Sequence, residues 1–120
     1  MKKKTLVFGA SLDRARYSYF AIQKLVQLGH EVKAFGERRG EAFGVLIGSE
    51  LKPYSDIDTI TLYMNAKNQK TFYKYLVGLN PKRIIFNPGA ENPEFYKILD
   101  ENHIQYEVAC TLVLLSTNQY

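Results

Sequence analysis

The groups best suited to chemistry in this chain belong to a turn and lack any obvious nucleophile. Gly9-Ala10-Ser11 closes a short apolar run, Thr5–Phe8, and is followed by Arg14, Arg16 and Ser18. A glycine at that point lets the backbone turn tightly, so that the next amides can point at phosphate oxygens. Ser11 and Ser18 add hydroxyl donors, and Arg14 and Arg16 add charge suited to phosphate. Two later stretches end apolar runs in a similar way. Gly36-Glu37-Arg38-Arg39 follows one, and Asn87-Pro88-Gly89, which exposes backbone to a ligand, follows another.

The turn can be tested against the dinucleotide fingerprint. G-x-G-x-x-G counted from Gly9 needs two further glycines, where this chain has Ser11 and Arg14. One match of three argues against an ordinary NAD site, in which the second glycine permits close approach to the pyrophosphate. Glu37 stands where an acidic ribose ligand is expected, yet Arg38 and Arg39 suit a ribose phosphate better. NADP and coenzyme A both carry one, so those arginines do not separate the two.

A catalytic set is not visible. His30 and His103 are expected at the amino ends of strands, opposite a crevice at the carboxyl ends. They do not cluster with other metal ligands. The single cysteine, Cys110, excludes an internal disulfide or a cysteine-rich zinc site. It reads as a small buried apolar residue, and a mixed disulfide with a thiol-bearing ligand under oxidation is the sharper alternative. Glu91 and Glu94 lack an acid–base partner, Glu94 serving a helix end. Tyr17 is a candidate cover for a cofactor and Asn65 a candidate for the crevice edge. The expectation is a protein that binds and does not catalyse.

These residues need a scaffold, and the chain alternates between strand and helix patterns. Strands are expected at Thr5–Phe8, Glu31–Phe35, Thr59–Tyr63, Arg83–Phe86 and Gln105–Ala109. Ile22, Leu25 and Val26 mark one helix, with Ser18 as its cap and Gly29 just past its end. Phe72, Leu76 and Leu79 mark a second. Asn92-Pro93-Glu94 starts a third, with Asn92 capping and Pro93 in the first helical position. Thr111–Ser116 is a short final helix or tail. Gly36–Ser55, rich in glycine, reads as loops with at most a short strand near Val45-Leu46-Ile47. Short apolar strands alternating with helices predict one α/β domain over residues 1–120. It is expected to be a Rossmann-like, doubly wound, mainly parallel five-stranded sheet with helices on both faces. The ligand crevice is expected between the first and fourth strands.

Composition fits this picture. With 46% hydrophobic residues and a net charge of +4 over 120 residues, a packed core is expected and disorder is not. Lys2–Lys4 reads as a solvated basic start. No basic helix or aromatic strand platform points to nucleic acid, and no apolar run suits a signal peptide or membrane span. The cytoplasm is the expected compartment.

Four stretches, taken in order, resemble the small stand-alone CoA-binding proteins, which are related to the N-terminal CoA-binding domain of succinyl-CoA synthetase α subunits. They are Val7-Phe8-Gly9-Ala10-Ser11, Arg16-Tyr17-Ser18, Asn87-Pro88-Gly89-Ala90-Glu91-Asn92 and Ala109-Cys110-Thr111-Leu112-Val113. The resemblance implies coenzyme A bound through the first turn and the ends of the second and fourth strands. NADP is the less favoured cofactor, and an interaction protein with an empty pocket is a further alternative. Many relatives carry Asn-Pro where this chain has Gly36-Glu37, and the synthetases' phosphorylated histidine lies in a second domain. Their catalysis is therefore not carried over. The expected partner is a small-molecule nucleotide cofactor, and a homo-oligomer or protein partner is left open.

Overall fold

The computed structural model describes residues 2–120. Among these residues seven strands form one sheet: β1 (Thr5–Ala10), β2 (Val32–Gly36), β3 (Gly40–Ala42), β4 (Val45–Gly48), β5 (Thr59–Leu62), β6 (Arg83–Phe86) and β7 (Gln105–Val108). Their order across the sheet is β3-β4-β2-β1-β5-β6-β7, and only the β3–β4 pairing is antiparallel. The helices are α1 (Tyr17–Gln27), α2 (Ala66–Gln69), α3 (Tyr73–Gly78), α4 (Pro93–Glu101) and α5 (Thr111–Ser116). A 3-10 turn, Lys70–Phe72, joins α2 to α3.

Strand side chains alternate between faces, so β1 and β2 each feed two cores. Leu6 and Phe8 of β1 join Ile60, Leu62, Ile84 and Phe86 beneath Leu76 of α3 and Phe95 and Leu99 of α4. Val7 and Ala10 face the other way, with Ala34 and Ile47, beneath Ile22 and Leu25 of α1 and Leu115 of α5. Phe8, Phe86 and Phe95 are fully buried. At roughly 3–5 kcal/mol for deleting a buried phenyl ring, each matters greatly to the fold.

The strand count differs from the expected five because Gly36–Ser55 contains a hairpin. β3 and β4 are joined by a two-residue turn in which Phe43 and Gly44 both have positive φ, 53° and 81°. Such a turn matches strand twist, but a phenylalanine in it gives no turn signature. β4 then runs parallel to β2 and takes the outer place that the third strand of a Rossmann order occupies. Thr59–Leu62 is consequently the strand next to β1. The order reverses between β1 and β5, and β6 lies one strand further out. The expected crevice between Thr5–Phe8 and Arg83–Phe86 is corrected accordingly.

Gly29 ends α1 as expected: its φ is +84°, and its N–H donates to the Val26 carbonyl at 3.0 Å while that of His30 donates to Leu25. Asn92 caps α4, accepting from the Phe95 N–H at 3.3 Å. Ser18 does not cap α1. Arg16 holds that position with no side-chain cap, and Ser18 lies inside the first turn, its hydroxyl facing back toward β1.

Candidate functional site

The carboxyl ends of β1, β2 and β5 are pressed together by two glycines. Gly9 has φ +95°, and a Cβ there would lie 2.8 Å from the Tyr63 carbonyl oxygen just past β5. The register between β1 and β2 slips at this residue, from Phe8↔Phe35 to Ala10↔Gly36. A Cβ on Gly36 would collide with the Ala10 carbonyl oxygen. Any larger residue at either position forces the strand ends apart, so both glycines act by permitting close backbone approach.

Past β1 the chain folds on its own side chains. The Ser11 N–H donates to the Ser18 hydroxyl at 3.1 Å. The Ser11 hydroxyl accepts from the Asp13 N–H at 3.0 Å, and the Asp13 carboxylate from the Ala15 N–H at 2.9 Å. Ser11 and Ser18 therefore shape the turn. Among the described residues the Tyr17 and Ser18 amides at the start of α1 have no protein acceptor. Such donors, with the positive end of the helix, favour an anion. Arg14, Arg16, Tyr17 and Arg38 are exposed around this turn. Arg16 stands 3.7 Å from Asp13, both largely in solvent, a pair worth little energetically.

Asn87 plays a different part from the one expected. It is 1% exposed. Its amide nitrogen donates to the Thr61 hydroxyl (2.8 Å) and the Leu62 carbonyl (3.0 Å), and its amide oxygen accepts from the Thr111 N–H (2.8 Å). The Thr61 and Thr111 hydroxyls bond each other at 2.7 Å. Asn87 thus clasps β5, β6 and the start of α5 and turns no side-chain group outward. Pro88 and Gly89 are exposed beyond it, Gly89 with φ +94° and open space where a Cβ would be. Glu91 holds that turn by accepting the Gly89 N–H at 2.9 Å.

A second buried network has no signature in the sequence. Gln69, fully buried, donates to the Met64 and Ala90 carbonyls, each at 2.7 Å, and accepts from Asn92 at 2.8 Å. Asn92 also donates to the Tyr73 hydroxyl, which donates to Glu94. Gln69 thereby ties the segment leaving β5 to the one leaving β6. Asn65 caps α2 by accepting the Asn68 N–H at 2.9 Å, so its oxygen serves the helix.

Cys110 is half-buried after β7, correcting the expectation of full burial. Both histidines stand at the amino edge. His30 precedes β2 and accepts the Lys3 N–H at 2.9 Å; burial, then the charge of Lys2, lowers its pKa. His103 is exposed before β7. Burial also raises the pKa of Tyr63, whose hydroxyl is enclosed near Thr61 and Thr111. Surface hollows beside His103 and beside His30 also lie at the amino edge, away from the turn. No cluster of three potential metal ligands occurs among the described residues. Among them, too, no helix is long and apolar enough to cross a membrane.

With this geometry in view, residues 3–116 match a family model described as a CoA binding domain. The chain belongs to the CoA binding domain family. Chains of similar shape are found among solved structures. An uncharacterized protein is 44% identical, with a TM-score of 0.97, covering 100% of this chain and 99% of its own. A hypothetical protein from Pyrococcus horikoshii is 20% identical (TM-score 0.83, 93% of this chain and 80% of that one). A Thermus thermophilus protein is 22% identical (TM-score 0.81, 98% and 91%). The latter two share the fold. Comparison with curated proteins yields no match. As a CoA binding domain, the chain is an α/β protein of Rossmann type with its glycine turn at the point where strand order reverses.

Proposed function

We propose that this CoA binding domain is a non-catalytic module that holds coenzyme A or an acyl-CoA at the carboxyl edge of its sheet. The observation that carries the reading is the turn at the switch point. Gly9 brings β1 against Tyr63, and the Tyr17 and Ser18 amides beyond it are free to receive a diphosphate. Arg14 and Arg16 flank that position, and Arg38 leaves the end of β2, on the side where a ribose phosphate would lie. Gly89 and Pro88 offer an open wall across the crevice. On this reading the protein is cytoplasmic and its partner is the cofactor itself.

NADP is the second reading, since Arg38 suits its ribose phosphate equally; the broken glycine fingerprint weighs against it. Calorimetry with coenzyme A, acetyl-CoA, dephospho-coenzyme A, NADP, NAD and ADP tests both. Coenzyme A is expected to bind more tightly than NADP and NAD, with dephospho-coenzyme A weaker than coenzyme A. Binding of NADP or NAD without coenzyme A overturns the proposal, and binding of none of them refutes a nucleotide site.

A further inference from the structure

β3 is a free edge of the sheet. In a two-residue hairpin the residues flanking the turn, here Ala42 and Val45, form a hydrogen-bonded pair, and bonded and non-bonded pairs alternate from there. Glu41↔Leu46 is then the non-bonded pair, so the N–H and carbonyl of Glu41 point away from β4. These are the groups a further strand takes up.

The side chains along this edge are self-complementary. Arg39, Gly40 and Glu41 read as positive, empty and negative. Arg39 and Glu41 are exposed, and neither joins a salt bridge among the described residues. When a second copy lies antiparallel with Gly40 opposite Gly40, each Arg39 falls opposite the other copy's Glu41. Both of those pairs are then the hydrogen-bonded ones, using the outward groups of Glu41. The central glycines form the non-bonded pair, where strands come closest. Centring the pairing on Glu41 instead would set like charges face to face. Leu12, 38% exposed, lies over Gly40, where a Cβ would be 2.5 Å from its Cδ1; it adds an apolar contact at the dyad. Leu46, 77% exposed, adds another beside Glu41 on the opposite face. The β7 edge lacks this pattern, since Glu107 is already paired with Arg83 at 2.8 Å.

We infer that the β3 edge is a self-association surface, through which a second copy of this chain extends the sheet about a twofold axis at Gly40. The contact is isologous and, because β3 spans only three residues, the dimer is reversible and concentration-dependent.

Sedimentation velocity of the full chain over a concentration series tests this, with Arg39→Glu, Glu41→Arg and the double variant. Each single reversal places like charges opposite each other twice per dimer, and is expected to weaken association about tenfold or more; the double variant is expected to restore it. Both side chains are exposed, and circular dichroism checks that the variants fold. Hydrogen exchange of wild type supplies the second readout: the Glu41 amide is expected to slow as concentration rises. A wild-type chain that stays monomeric throughout overturns the inference. So does a dimer indifferent to both single reversals, or one in which the Glu41 amide exchanges as fast as in the monomer.

Discussion

Replacing Asn87 by alanine probes the clasp beneath the candidate site. Three hydrogen bonds of 2.8–3.0 Å disappear from a residue that is 1% exposed. The Thr61 hydroxyl keeps its bond to Thr111, so the principal orphan is the Thr111 N–H. Leaving one buried donor unsatisfied costs about 1–3 kcal/mol, and the two other lost bonds add about 1 kcal/mol each. The expected loss is about 3–5 kcal/mol, a large share of the roughly 5–15 kcal/mol that holds a domain together. Equilibrium urea unfolding followed by circular dichroism measures it, as a lower midpoint with an unchanged slope. Asn87→Asp sharpens the test. One carboxyl oxygen still accepts from Thr111, while the other faces the Leu62 carbonyl, which repels a carboxylate and accepts from a protonated acid. The folded pKa of that aspartate is therefore raised above its unfolded value of about 3.9. The folded state then binds the proton more tightly, so stability is greatest below about pH 4 and is lost as pH rises through the folded pKa. A loss under about 1 kcal/mol in Asn87→Ala, or an Asn87→Asp variant whose stability relative to wild type does not fall between pH 4 and 7, refutes the clasp.

Gly9→Ala combines left-handed strain with a collision against the Tyr63 carbonyl and should destabilise by about 2 kcal/mol or more, read as a drop in melting temperature. Arg16→Ala should leave stability nearly unchanged, because its pair with Asp13 is exposed, yet weaken coenzyme A binding by about 1–3 kcal/mol in calorimetry. His30 has a lowered folded pKa, so the folded state resists its protonation. Stability is expected to be full above the ordinary histidine range and to decline as pH falls through it, and His30→Gln should flatten that decline in urea titrations.

Much of the fold was legible because the β-branched and aromatic runs are short and sharply bounded. Asn92-Pro93-Glu94 announced α4 through local rules that tertiary packing did not override. The strand at Val45-Leu46-Ile47 was legible as β4, but β3 and its pairing escaped because a phenylalanine occupies a left-handed turn position, where turn chemistry calls for glycine or asparagine. That omission also shifted the crevice by one strand. At the site, Gly9 and Gly36 were legible as glycines after strands, although their exact service, close approach of three strand ends, depends on contacts between distant segments. Ser18 was legible as a hydroxyl donor and Asn87 as part of a turn exposing backbone, yet their side-chain hydrogen bonds turn inward. Gln69 offered no signal, since a single glutamine in a polar stretch reads as solvated until folding surrounds it.

The clasp of Thr61, Asn87 and Thr111 also bears on how such a sequence can change over generations. Each member satisfies groups on the other two, so altering one leaves its neighbours stranded in the interior, and replacing all three by apolar residues still strands the backbone N–H at position 111 that Asn87 accepts from. Mutational routes through this region are expected to be strongly epistatic, with single steps disfavoured and joint steps tolerated where an acceptor for the N–H at position 111 is kept. A chimera that takes β5 from one relative and β6 or α5 from another would inherit mismatched halves of the set. Domain recombination should therefore succeed at the β3–β4 hairpin more readily than anywhere between Thr61 and Thr111.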